Sequence, residues 1–297
     1  MRGIRVEEQS SIAYGEQLRL SSMGERATLN IYFSARKGIS IVIGAKPGSG
    51  INAILESIRD QAALDPHDQI PDLAKHDWKL WIGSDECGKG DYFGPLVVCA
   101  FKTGETEAAE LRALGVRDSK QLRDSQIIQI ATTLYQKFPG RMSGIVLKPS
   151  RYNQIMADMQ DNHRNLNDLL AWQHCGVIQN LLDPKQPVDG ILVDQFSKSK
   201  KVAAALKTKQ PELKVVERSG AESDLAVAAA SILARYQFLG AMKELGKRYK
   251  IDLPLGAGSN VDKVAREFVK LHGLARLGEV AKLHFKNTLR VKATPNP

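Results

Sequence analysis

The sequence predicts an α/β protein, a mixed sheet flanked by helices and preceded by a small α+β unit. Three observations carry this reading. Short β-rich runs at the start of the larger part lie close together, so they pair as direct neighbours. Later runs alternate with stretches of helical periodicity, the pattern of strands joined through helices. A polar, proline-bearing segment, Asp65-Pro66-His67-Asp68-Gln69-Ile70-Pro71-Asp72, breaks the periodicity between the two parts. At 297 residues the chain has room for both. We divide it into residues 1–76, the small unit with its linker, and residues 77–297.

In the small unit, Ala27 to Ser34 alternates and is rich in β-formers, Arg36-Lys37-Gly38 has turn composition, and Ile39 to Ile43 is a second strand, together a hairpin. Gly44 to Gly50 interrupts the pattern, and Ile51 to Ile58 places apolar residues at helical spacing. The larger part opens with a strand from Trp78 to Glu86. Pro95 to Phe101 is a second, more fully buried strand, and Arg141–Leu147, Asp189–Asp194 and Leu213–Glu217 are three more. Helical patterns fall near 123–137, 149–158, 165–182, 198–208, 222–249 and 261–272, and residues 292–297 form a frayed tail.

Composition narrows the function classes. No apolar run approaches the roughly 20 residues of a membrane span, and the N-terminus lacks a secretory signal, which predicts a cytoplasmic protein without membrane partners. Cys87, Cys99 and Cys175 fit neither a metal spacing nor a disulfide framework. The formal net charge is +9, and residues 1–76 hold nine basic and nine acidic groups, so the whole excess lies in the larger part. Such a surface attracts polyanions such as nucleic acid.

The chemistry centres on Gly83-Ser84-Asp85-Glu86-Cys87-Gly88-Lys89-Gly90-Asp91-Tyr92-Phe93-Gly94-Pro95. Two carboxylates end an otherwise apolar strand, where they are costly to desolvate unless a cation meets them. Hard oxygen ligands suit Mg²⁺. Gly88 and Gly90 let the backbone approach a phosphate or sugar closely, and Lys89 adds charge. A dinucleotide fingerprint would need glycine at Phe93, and Gly44 to Gly50 lacks the G-K-[ST] of a P-loop. Asp194 ends another apolar strand. Glu222 stands at the start of an alanine-rich helix, with Asp224 as a rival two residues on.

Together these segments resemble the type 2 ribonuclease H family, and within it the HIII branch. Gly88-Lys89-Gly90 carries lysine where the HII branch usually has arginine. Asp118-Ser119-Lys120, Tyr152-Asn153, Asn165-Leu166-Asn167 and Ala228-Ala229-Ala230-Ser231 add to the likeness. The resemblance implies a ribonuclease-H-like sheet behind a TATA-box-binding-protein-like domain. It also implies cleavage of the RNA strand of RNA/DNA hybrids by a two-metal-ion mechanism, with Mg²⁺ or Mn²⁺, leaving 5′-phosphate and 3′-hydroxyl ends. Asp85, Glu86, Asp194 and Glu222 are the implied metal ligands and catalytic residues. Gly88, Lys89, Gly90, Ser119, Lys120 and Asn153 are the implied substrate contacts. A monomer is expected. The alternatives are a silent hybrid-binding protein, another metal nuclease on a similar sheet, and an oxidoreductase. The carboxylates, the glycine loop and the failed fingerprint argue against them in turn. Alternation puts Tyr32 and Phe33 on opposite faces of their strand, so at most one serves a binding platform, helped by Arg36, Lys37 and Lys46. His174, in an apolar helix, is expected to be structural, and His284 has no assigned role.

Overall fold

The computed structural model describes residues 4–12, 15–34, 38–62 and 76–293. Contacts divide the chain into two compact units, residues 1–69 and 70–297.

The first unit is a four-stranded antiparallel sheet in chain order, β1 (Arg5–Ile12), β2 (Gly15–Ser22), β3 (Glu25–Ser34) and β4 (Gly38–Gly44), followed by α1 (Gly50–Ala62). The expected hairpin is β3–β4. The first two strands went unpredicted because β1 is polar and exposed along its length and so shows no apolar alternation. Leu20 and Ala27 pair across β2 and β3, and they bury with Ile51 and Leu55 of α1. Thr28, Asn30 and Tyr32, of the opposite parity, fall on the other face of the sheet. Arg36, Lys37 and the side chain of Phe33 lie outside the described residues.

The second unit begins with β5 (Leu80–Cys87) and β6 (Leu96–Gly104), then α2 (Glu105–Ala113) and α3 (Asp124–Lys137). There follow β7 (Met142–Leu147), α4 (Pro149–Asp161), α5 (Leu166–Gln179), β8 (Gly190–Asp194), α6 (Lys201–Lys209) and β9 (Val215–Arg218). The unit closes with α7 (Leu225–Tyr249), α8 (Ser259–His272) and α9 (Lys286–Lys292). The sheet order is β7-β6-β5-β8-β9, antiparallel among the first three strands and parallel from β5 to β9. This is the predicted mixed sheet. Helices α2 and α9, unmarked in the sequence, are short, and α2 buries only Ala108 and Leu111, too few positions to show a period.

Two cores sandwich the sheet. One joins Val97, Cys99 and Phe101 to α2, α3, α7 and α8; the other joins Ile82, Leu96, Val98 and Ala100 to α4, α5 and α6. All nine positions of β6 are buried, as a strand covered on both faces requires. α7 lies directly on β5, where a Cβ added to Gly83 would stand 2.2 Å from Val227 N. Among the described residues α7 alone has the length and hydropathy of a membrane span, although its apolar residues are interrupted by polar ones. Its buried face is spent on the sheet: Ala226 to Ala234 are all buried.

Candidate active site

The carboxylates meet at one end of the sheet. β5 and β8 run parallel with Ser84 opposite Val193, so Asp85 and Asp194 follow side by side at the carboxyl edge, the usual location of ligand sites in parallel sheets. Asp85 shares its face with Gly83, on the α7 side, and Glu86 takes the opposite parity, on the α5 side. Glu222 arrives from the single 3₁₀ turn Ala221–Ser223, which precedes α7. Ala221 N donates to Asp194 Oδ1 at 3.1 Å and fastens that turn to the end of β8.

The predicted continuous helix over 222–249 is therefore broken at Asp224, and the break separates the two rival carboxylates. Asp224 Oδ1 caps α7, accepting from Ala226 N at 2.9 Å and Val227 N at 3.1 Å, and also from Trp81 Nε1 at 3.1 Å. Its Oδ2 lies 3.3 Å from His76 Nε2. Glu222 is turned instead toward Asp194 and toward Lys120, whose Nζ stands 2.9 Å from Oε1.

The electrostatics record how closely the carboxylates crowd. Burial, then the charges of Glu86 and Asp194, push the Asp85 carboxyl up to about 8. Burial and the charge of Glu222 push Asp194 up to about 6. Burial works against ionisation of Glu86 as well, yet His174 and Lys89 bring it below its ordinary value. Glu222 is likewise held down, against its burial, by Lys120. Asp85 is restrained by bonds from Glu86 N, at 2.7 Å, and from Ser231, whose hydroxyl also lies 2.7 Å from that of Ser119.

Such a site suits hard cations. All its acidic donors are carboxylate oxygens, and Glu86 Oε2 and Glu222 Oε2 are buried without a hydrogen-bond partner. Among the described residues no three His, Cys, Asp or Glu side chains close on a single point at ligand spacing. The carboxylates straddle the sheet edge, with lysines beside Glu86 and Glu222. Neutralising cations at the edge would relieve the repulsion that raises Asp85 and Asp194.

The glycine loop sits beside this cluster. Gly88 has φ +89°, and a Cβ there would stand 2.3 Å from Pro95 O. Lys89 Nζ reaches back to Phe196 O at 3.2 Å and to Glu86 Oε1 at 3.5 Å. Gly90 is exposed, and a Cβ there would meet nothing within 4 Å, so its backbone is open to a ligand. Lys282, itself buried, clamps the far side of the loop by donating to the carbonyls of Phe93 at 3.4 Å, Gly94 at 2.7 Å and Pro95 at 3.3 Å.

The structure thus gathers Asp85, Glu86, Asp194, Glu222, Lys89, Lys120 and Ser119 with the glycine loop. The expectation for Asn153 is corrected. Its amide donates to Gly278 O at 3.1 Å and Ala281 O at 2.9 Å and accepts from Leu283 N at 2.9 Å, so it fastens the C-terminal segment and has no donor left for substrate. Ser84, His174, Phe196, Ser231 and Lys282 were missed as parts of the site. A histidine on an otherwise apolar helix face was the one available signal, since a buried imidazole needs polar partners.

The Ribonuclease HII family model matches residues 82–288. Ribonuclease HIII of Protochlamydia amoebophila (strain UWE25) is 36% identical over 277 residues, covering 93% of this chain and 87% of its own length. Ribonuclease HIII of Bacillus pumilus (strain SAFR-032) is 41% identical over 218 residues, 71% of this chain and 68% of its own. Among solved structures, Bst-RNase HIII in complex with Mn²⁺ superposes with a TM-score of 0.66 at 28% identity, covering 97% of this chain and 92% of that one. With four acidic side chains and a glycine loop at one sheet edge, and with these relatives along nearly its whole length, the chain belongs to the ribonuclease HII family, alongside the ribonucleases HIII, and is a ribonuclease H.

Proposed function

We propose that the chain hydrolyses the RNA strand of RNA/DNA hybrids with two divalent ions, Mg²⁺ or Mn²⁺, and leaves 5′-phosphate and 3′-hydroxyl ends. Asp85, Glu86, Asp194 and Glu222 would hold the ions. When bound, the ions supply the charge that activates a water and offsets the charge developing on the departing oxygen. The observation that carries this reading is the convergence of Asp85, Glu86, Asp194 and Glu222 beside a loop whose backbone is open at Gly90.

The remaining roles belong to the chain's own groups. Backbone N–H groups of Gly88-Lys89-Gly90 face the sugar–phosphate backbone, and reading the 2′-hydroxyl there selects RNA over DNA. Lys89 and Lys120 meet phosphates, which position the hybrid without reading its sequence. Ser119 acts from behind, through Ser231 on Asp85. In the first unit, the sheet face carrying Thr28, Asn30 and Tyr32 serves as a platform for the hybrid.

The test is cleavage of an end-labelled RNA/DNA hybrid with and without Mg²⁺ or Mn²⁺, beside DNA duplex, RNA duplex and a duplex holding one ribonucleotide. Metal-dependent cutting confined to the RNA strand is expected, with fragments whose 5′ ends lose phosphate to a phosphatase. Folded protein that binds the hybrid but cuts with neither ion would sink the reading in favour of a binding protein.

A further inference from the structure

We propose that His174 is a positioning residue for the ribonuclease reaction, fixing the Glu86 carboxylate in the orientation from which it binds a divalent cation. The inference rests on the metal-ligand reading of Glu86 given above.

His174 lies on α5 and is fully buried. Its Nδ1 stands 2.7 Å from Ser84 Oγ, and Ser84 Oγ in turn lies 2.9 Å from Cys99 O. The Ser84 hydroxyl donates to Nδ1, the shorter of its two contacts, which places the proton of the neutral ring on Nε2, the edge that faces Glu86. That bond sets the plane of the ring and directs its other edge at Glu86, where Nε2 faces Oε2 at 3.4 Å. These two atoms are buried and have no other hydrogen-bond partner. A histidine needed only for the core would be satisfied by Ser84 and would meet apolar atoms on its far edge. Here that edge meets a carboxylate oxygen which would be costly to bury alone.

A second brace completes the arrangement. The His174 ring stacks on Phe196 with centroids 5.1 Å apart and planes at 14°. Lys89 Nζ lies 5.6 Å from the centroid of that same Phe196 ring and 3.5 Å from Glu86 Oε1. Each Glu86 oxygen is thus faced by one nitrogen, and both nitrogens rest on Phe196, two residues beyond Asp194. The carboxylates of β5 and β8 are tied together on the α5 side by His174 and Phe196, much as Ala221 ties β8 to Glu222 on the α7 side. Groups that orient a metal's ligands typically contribute about 10–100-fold in metal affinity.

The two amide substitutions separate the edges of the ring. His174→Asn retains a hydrogen-bond acceptor near Nδ1, toward Ser84, and loses the Glu86 edge; His174→Gln places its amide N–H near Nε2, toward Glu86. Mn²⁺ binding is read without turnover, from the electron paramagnetic resonance signal of the free ion. The Asn variant is expected to bind Mn²⁺ about 10–100-fold more weakly, with kcat reduced and KM for the hybrid little changed. The Gln variant is expected to recover most of that loss. In a Glu86→Gln background, His174→Asn should weaken Mn²⁺ binding no further. A folded Asn variant with the parent's Mn²⁺ affinity, or equal losses in both variants that follow a lowered melting temperature, overturns the proposal. Should the Asn variant not fold, Ser84→Ala carries the test, because it frees the ring while keeping it; unchanged Mn²⁺ affinity there overturns the proposal equally. Failure of the parent protein to bind Mn²⁺ or cut the hybrid would instead strike the function on which the inference rests.

Discussion

Gly83 of β5 lies against the backbone of Val227 in α7, so closely that a methyl group on Gly83 would stand 2.2 Å from the Val227 nitrogen. That contact sets the separation between the strand bearing Asp85 and Glu86 and α7, the helix that the Glu222 turn leads into. A Gly83→Ala protein must shift α7 outward. We expect it to lose about 1–3 kcal/mol of stability, the usual cost of overpacking a tight interface, and to lose turnover well beyond that because Glu222 moves with the helix. Urea unfolding and hybrid cleavage on the same preparation check this; normal activity in a destabilised protein would show that the spacing does not matter to the site.

The fourth carboxylate is decided by comparing Glu222→Gln with Asp224→Ala. Glu222 has no part in the α7 cap, so its substitution should leave the melting temperature almost unchanged while turnover collapses. Asp224→Ala removes a helix cap, about 0.5–2 kcal/mol, and leaves the buried Trp81 indole N–H unpaired, about 1–3 kcal/mol more. It should retain turnover at temperatures where it stays folded. The reverse pattern would exchange the two assignments.

Asp85 carries a pH dependence of stability in the metal-free protein. Its folded carboxyl is raised by burial and by Glu86 from the ordinary 3.8 to about 8, so between those values the folded protein holds more protons than the unfolded chain. Stability contributed by this group is therefore lost as pH rises through that window. In a chelator, the melting temperature should fall from pH 5 to pH 8. Asp85→Asn should flatten the fall and melt above the parent at pH 8 while abolishing cleavage. A steeper fall in the variant would contradict the assignment.

Lys282→Met keeps the apolar stem but leaves the carbonyls of Phe93, Gly94 and Pro95 without their donor. The expected loss is about 1–3 kcal/mol. KM for the hybrid should rise more than kcat falls, since the clamp acts on the loop and not on the carboxylates. Steady-state kinetics below the melting transition distinguish the two.

Removing residues 1–75 tests the platform. All the second unit's cores lie beyond the cut, so the remainder should fold and keep its turnover at saturating hybrid. Affinity should fall by about tenfold or more, as when one of two linked binding modules is lost. Full hybrid affinity in the truncated protein would end the platform role.

Much of the site was legible along the chain because its chemistry is local. Asp85-Glu86 at a strand end, the Gly88-Lys89-Gly90 turn and Asp194 closing an apolar run are short-range patterns, and alternation in the first strand and the apolar run in the second place the strands that carry them. The mixed sheet followed from the spacing of strands and helices. The roles that needed tertiary structure depend on partners far apart in sequence. Asp224 and Glu222 look alike on paper, and only the arrival of Trp81 and His76 assigns one of them to the cap. Asn153 is committed to the C-terminal segment only by the fold, which brings Leu283 against it. His174 read as an ordinary core residue because its partners, Ser84 and Glu86, come from a strand about ninety positions earlier. Sequence periodicity reports which face of an element is buried; which polar atoms meet there is decided only when α5 and α7 close over the two faces of the sheet.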